Sequence, residues 1–210
     1  QTLEVSNVTS NQELVDELLG SGVEVSNFNV YGDLRQTGTF NDPVGILGVR
    51  SGLVMGTGNV LYAEPPNKPF SSNSFGDLNV STTYNTNIQS SLLDEISSGE
   101  LYYDAIIIEF DIIPKGNLLS FNYILASEEY IEDDDGFADF FGFWFSGPGI
   151  VGNQNLAKIP GTNIDVNTST VNDTKNNIYY NDNGDGSTPC VNVLFGYDGY
   201  ADLFKAEVSV

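Results

Sequence analysis

A mainly β fold, a jelly-roll-like β-sandwich with one N-terminal and one short internal helix, is what the sequence predicts, on three observations. Short alternating or wholly apolar runs recur along the 210 residues. Clusters of Gly, Pro and Asn separate these runs, and only two stretches carry a helical period.

The first helix opens at Ser10, where Ser10 and Glu13 have the S-x-x-E spacing of a capping box. Leu14, Val15, Leu18 and Leu19 then share one face, and Gly20 suits the position just past a helix end. Val23, Val25, Phe28 and Val30 describe a strand with one break in its alternation. Leu53 to Val60 reads as a short, glycine-punctuated strand, and Ile88, Leu92, Leu93 and Ile96 as a short helix.

Ala105 to Ile113 is the strongest strand. Ile106, Ile108, Phe110 and Ile112 line one face, and Ile107, Glu109, Asp111 and Ile113 the other. Pro114 to Asn117 has turn composition, so Ile106–Ile113 is expected to pair with Leu118–Ala126 as a hairpin. Phe140 to Phe145 is almost entirely aromatic, which predicts a strand buried on both faces. Val191–Phe195 and Leu203–Val210 complete the strands. No linker, repeat or low-complexity tract divides residues 1–210, which are read as a single domain.

Charge excludes several functions. There are 29 acidic and 7 basic residues and no histidine, giving a formal charge of −22. Seven scattered cations cannot neutralise a run of phosphates, so no nucleic-acid partner is expected, nor attraction to anionic lipid. Without His, a Ser–His–Asp triad, a Cys–His pair and His-ligated zinc are all excluded. Cys190 is the single cysteine, so the chain forms no internal disulfide. No apolar run approaches the roughly 18 residues of a membrane span, so no direct membrane insertion is expected. An N-terminal Gln without Met suggests an exported chain whose signal peptide has already been removed.

The acids are concentrated. Glu128, Glu129, Glu132, Asp133, Asp134, Asp135 and Asp139 put seven carboxylates into twelve residues. Like charges in a folded loop repel, and Ca²⁺, which takes six to eight oxygen ligands in irregular geometry, would relieve that repulsion. Glu128, Glu129, Asp133, Asp135 and Asp139 are therefore candidate metal ligands. A second group, Asn181, Asn183 and Asp185 followed by Gly186, has the alternate-oxygen spacing of a calcium loop. Asn192 stands where an EF-hand would have its bidentate acid, so it is not an EF-hand.

Two carboxylates at glycosidase spacing would make a hydrolase, but adjacent strand residues such as Glu128 and Glu129 point to opposite faces. Ser and Thr lack a base, and no catalytic residue is assigned. Trp144, Tyr130, Tyr197 and Tyr200 are the aromatic side chains that would stack on a sugar if exposed.

Several blocks come in a characteristic order. They include Gly48 to Gly58, Glu109-Phe110-Asp111 before Pro114, Ser127-Glu128-Glu129-Tyr130, Asp139-Phe140-Phe141-Gly142-Phe143-Trp144, Ile159 to Asn163 and Tyr197-Asp198-Gly199-Tyr200. With these blocks the chain resembles the choice-of-anchor L domain of bacterial surface proteins over nearly its whole length. The resemblance implies a secreted, surface-displayed module in Bacteroidetes-type bacteria, with type IX secretion and roles in adhesion or gliding. It brings no catalytic residues. Family members usually continue beyond the strand matching Ala201–Val210, so the chain is expected to be an N-terminal fragment whose open sheet edge a neighbouring chain can complete.

The resulting expectation is a calcium-stabilised extracellular adhesion or interaction module whose partner is a cell-surface protein or a glycan. A calcium-dependent carbohydrate-binding domain is the alternative, and a polysaccharide hydrolase comes third.

Overall fold

The computed structural model describes residues 2–19, 22–66, 88–130, 138–184 and 195–210. Among these residues the fold is mainly β, with several antiparallel sheets and two α-helices. The chain forms two compact units, each assembled from separated stretches of sequence.

The first unit draws on residues 1–89, 102–115 and 184–196. It contains β1 (Glu4–Asn7), α1 (Asn11–Leu18), β2 (Val23–Tyr31), β3 (Thr37–Asn41), β4 (Ser51–Met55) and β5 (Ile107–Pro114). Strands β1, β3 and β4 form one sheet in that order, and β2 pairs with β5 in another. Val5, Leu14, Val60 and Ala63 are buried here.

The break in β2 is a bulge between Ser26 and Asn29. Asn27 takes a left-handed φ of 53° there, a conformation that Asn adopts more readily than most residues. The Asn27 amide donates to Asp111 Oδ2 at 2.6 Å, and the Phe28 and Phe110 rings stack with centroids 5.6 Å apart.

The second unit draws on residues 90–101, 116–183 and 197–210. It contains α2 (Ser91–Ile96), β6 (Leu118–Tyr123), β7 (Ala126–Ser127), β8 (Trp144–Phe145), β9 (Gln154–Asn155), β10 (Tyr180–Asp182), β11 (Gly199–Ala201) and β12 (Phe204–Ser209). Its core is Ile159, Val166, Val171, Ala201 and Phe204, with Tyr123, Leu125, Tyr179 and Tyr180 packed around it. Strand β12 pairs with β6, β8 with β9, and β10, β11 and β7 form a sheet in that order.

Four local expectations need correction. The hairpin is absent, because β5 pairs with β2 and β6 pairs with β12. Distant strands claim both ends of the connecting turn. Lys115 N–H donates to Gly22 O at 2.9 Å, and Asn117 O accepts from Val210 N–H at 3.1 Å.

At α1, Ser10 is the N-cap but makes no side-chain cap bond. Glu13 instead accepts from the N–H and hydroxyl of Thr9, at 2.9 and 2.5 Å. The aromatic run 140–145 is half-buried throughout, with strand structure only at Trp144–Phe145. The stretch Leu53 to Val60 is strand only as far as Met55, and Val60 opens a 3-10 turn. Of the expected strand Val191–Phe195, only Phe195 is described, and it is buried. Asp133, Asp135, Asp185 and Cys190 lie outside the described residues.

Candidate functional site: an acidic end of one small sheet

The register of the β7–β11–β10 sheet joins what the sequence presents as two separate acidic clusters. Gly199 in β11 is paired with Ser127 at the end of β7 and with Asp182 at the end of β10. Because both pairings are antiparallel, the chain leaves β7 into Glu128 and leaves β10 into Asn183 at the same sheet end where it enters β11 from Asp198. Glu128, Glu129, Asn183 and Asp198 are thus neighbours by topology, although Glu128 and Asp198 are far apart in sequence.

One backbone and one side-chain hydrogen bond from Asn183 fix this end. Asn183 N–H donates to Asp198 O at 2.8 Å, and the Asn183 amide donates to Tyr197 O at 2.6 Å. Asn183 and Asp198 are both buried. Asn181 turns to the flank of the sheet, where its amide donates to Asp202 Oδ1 at 2.8 Å. Glu128 is half-buried and Glu129 exposed.

Asp139 is drawn in by Ser127. The buried Ser127 hydroxyl donates to Asp139 Oδ2 at 2.5 Å and accepts from Glu129 N–H at 3.0 Å, tying Asp139 to β7. On its other side, Asp139 N–H donates to Thr168 Oγ1 at 3.1 Å. Burial pushes the Asp139 carboxyl above the ordinary carboxylate range, and the Ser127 bond opposes part of that shift.

Tyrosines line the same region. Tyr130 is 1% exposed, its ring 5.0 Å from that of Tyr180. Both hydroxyls are buried with no hydrogen-bond partner among the described residues. An alanine methyl at Gly199 would come within 2.9 Å of Tyr130 Cβ and of the Tyr180 hydroxyl, so the pair packs on bare backbone.

Burial raises the pKa of all three phenols, Tyr130, Tyr180 and Tyr197. Nearby charge adds to the shift: Asp139 at Tyr130, Asp182, Asp173 and Asp198 at Tyr180, and Glu128 and Asp139 at Tyr197. Tyr130 is therefore a core side chain and cannot be a sugar platform. Trp144 and Tyr200 are half-buried.

All the donors here are hard oxygens, a set that suits Ca²⁺ better than a softer transition metal. Among the described residues, no three carboxylates stand close enough to hold a metal on their own. Sequence reasoning singled out Glu128, Glu129, Asp139 and Asn183, and it missed Ser127 and Asp198 as parts of the same region. The Tyr197–Tyr200 block carried a signal for Asp198, but only strand register connects that block to Ser127.

No helix among the described residues is long and apolar enough to cross a membrane. The chain matches no curated protein and no solved structure. The family model of the choice-of-anchor L domain matches residues 3–210, running through the Ser127–Tyr130, Asp139–Trp144 and Tyr197–Tyr200 blocks that meet or flank the acidic end. The chain belongs to the choice-of-anchor L domain family.

Proposed function

We propose that this domain is a calcium-stabilised extracellular interaction module, displayed as part of a bacterial cell-surface protein. Family membership supports the cell-surface placement. One observation carries the calcium reading: strand register brings Glu128 and Glu129 to the same sheet end as Asp198, and Ser127 ties the buried Asp139 carboxyl to that end.

A buried carboxylate is costly unless a positive charge or donors compensate it, and among the described residues Ser127 supplies one side-chain donor. Ca²⁺ bound at this end would offset the remaining charge. It would also fix the segments that enter and leave β7, β10 and β11. The module then presents a rigid surface to a partner protein. A neighbouring chain's strand would add to β12 along the edge that carries no strand among the described residues. Secretion by a type IX route, with a role in adhesion or gliding, is the setting this reading implies.

Half-buried Trp144 and Tyr200 support a second reading, calcium-dependent glycan binding. Terbium, a calcium mimic, separates the possibilities when its emission is excited through tyrosine. Saturable emission that Ca²⁺ displaces is the expected result, because Tyr130 and Tyr197 lie near enough to Asp139 to feel its charge. Absence of sensitised emission would remove the cation from the account. A glycan array probed with Ca²⁺ is expected to stay blank, and a signal abolished by EDTA would replace the protein partner with a sugar.

A further inference from the structure

The second unit holds a further cluster of three side chains, none of them among the residues of the acidic end. Lys158 and Asp165 face each other across an isolated antiparallel bridge, and Lys158 Nζ is ion-paired with Asp165 Oδ1. That same oxygen accepts a hydrogen bond from Asn155 Nδ2 at 2.7 Å. The Asn155 amide oxygen in turn accepts two backbone N–H groups, Phe143 and Ala157, each at 3.0 Å.

The side chains of Lys158 and Asp165 are each 32% exposed, and Ala157, Ile159 and Val166 beside them are buried. An amine, a carboxamide and a carboxylate are thus held together, with the amide carbonyl already seated on two donors. Backbone donors placed at a carbonyl are the feature that stabilises a tetrahedral oxyanion. A carboxylate touching both the incoming and the departing nitrogen is positioned to carry the proton between them.

We propose that Lys158 and Asn155 form an intramolecular amide cross-link, with Asp165 as the proton carrier. The step balances without a co-reactant. Lys158 gives a proton to Asp165, and its free amine attacks Asn155 Cγ. The Phe143 and Ala157 N–H groups hold the oxyanion. Asp165 then protonates the amide nitrogen, the Cγ–Nδ2 bond breaks, and the carboxylate takes the second proton from Lys158 Nζ. The products are a Lys158 Nζ–Asn155 Cγ amide and one ammonia, which leaves as ammonium with the proton Lys158 first carried. Holding the reactants in place supplies the rate that the same groups lack in free solution. This cross-link does not depend on bound calcium or on the partner.

Intact-mass measurement of the purified chain tests the proposal, followed by tryptic peptide mapping. The expected result is a species lighter by one ammonia, uncut after Lys158, with a fragment spectrum that joins residues 155 and 158. Lys158→Arg keeps a cation opposite Asp165 but has no amine to acylate, so it is expected to fold with its unmodified mass. Asp165→Asn is expected to retain the free lysine. A wild-type chain at its unmodified mass, cut by trypsin after Lys158, would overturn the cross-link. Loss of water instead of ammonia would also overturn it, because the bond would then be to Asp165.

Discussion

Replacing Gly142 with alanine is expected to unseat Trp144 and to lower the thermal stability of the chain sharply. A methyl built at Gly142 would lie 2.1, 2.3 and 2.6 Å from Trp144 Cη2, Cζ3 and Cζ2, so the indole rests flat on the glycine backbone. Trp144 cannot retreat along its strand, because β8 is paired with β9 through Trp144–Asn155 and Phe145–Gln154. The ring must swing out and lose its burial, or the strand must shift. Overpacking of a filled site costs about 1–3 kcal/mol, and a collision this deep belongs at the upper end. Trp144 is the only tryptophan, so emission reports on it alone. A lowered Tm with a red-shifted emission maximum is the expected pair of results. Unchanged emission would mean that the ring is not seated there.

The other large effect is expected at Phe204, and its cause is the opposite one, a cavity. Phe204 is 2% exposed at the start of β12. Its ring lies 5.7 Å from Tyr123 and 5.5 Å from Tyr179, above the cluster of Ile159, Val166, Val171 and Ala201. Phe204→Ala is expected to cost about 3–5 kcal/mol, against a typical domain stability of about 5–15 kcal/mol. Tyr179 and Tyr180 lead into β10, so the loss would also loosen the sheet that gathers the carboxylates. A urea titration should show the midpoint falling. A midpoint unchanged from wild type would place the core elsewhere.

These two residues also show what could be read from sequence. Alternation in β5 was legible because side chains on a strand alternate whatever the strand pairs with, and the irregularity in β2 was legible as a break in that alternation. The positions of α1 and α2 followed from local period, and at α1 also from Ser10 at its start. Pairing is different, because partners distant in sequence choose it. Turn composition at Pro114–Asn117 suggested a hairpin, yet Gly22 and Val210 hold its two ends.

A similar competition decided the helix start, where Thr9 offered Glu13 two donors and left Ser10 without its cap bond. The aromatic run 140–145 read as a doubly buried strand because composition reports hydrophobicity and not neighbours. Its residues are half-buried, and Trp144 rests on a glycine within the run. At the acidic end, each cluster was visible alone. Their union depends on Gly199 standing opposite both Ser127 and Asp182, a fact of register that no local pattern contains.

Asp139 is the residue at which completion of the acidic end by a cation is tested most directly. Burial raises the Asp139 carboxyl above its ordinary value of 3.8, so the folded chain holds that proton more tightly than the unfolded chain does. Stability from this group is therefore greatest at low pH and is lost as pH rises from the ordinary value through the raised one. Above that window the ionised group burdens the fold unless a cation compensates it.

Thermal melting at neutral pH, with Ca²⁺ and with EDTA, on wild type and on Asp139→Asn, reads this directly. Ca²⁺ is expected to raise the Tm of the wild type by several degrees over EDTA. Asp139→Asn is expected to melt above the chelated wild type and to lose most of the response to Ca²⁺. A wild-type Tm that is the same in Ca²⁺ and in EDTA would contradict completion of the acidic end by a cation.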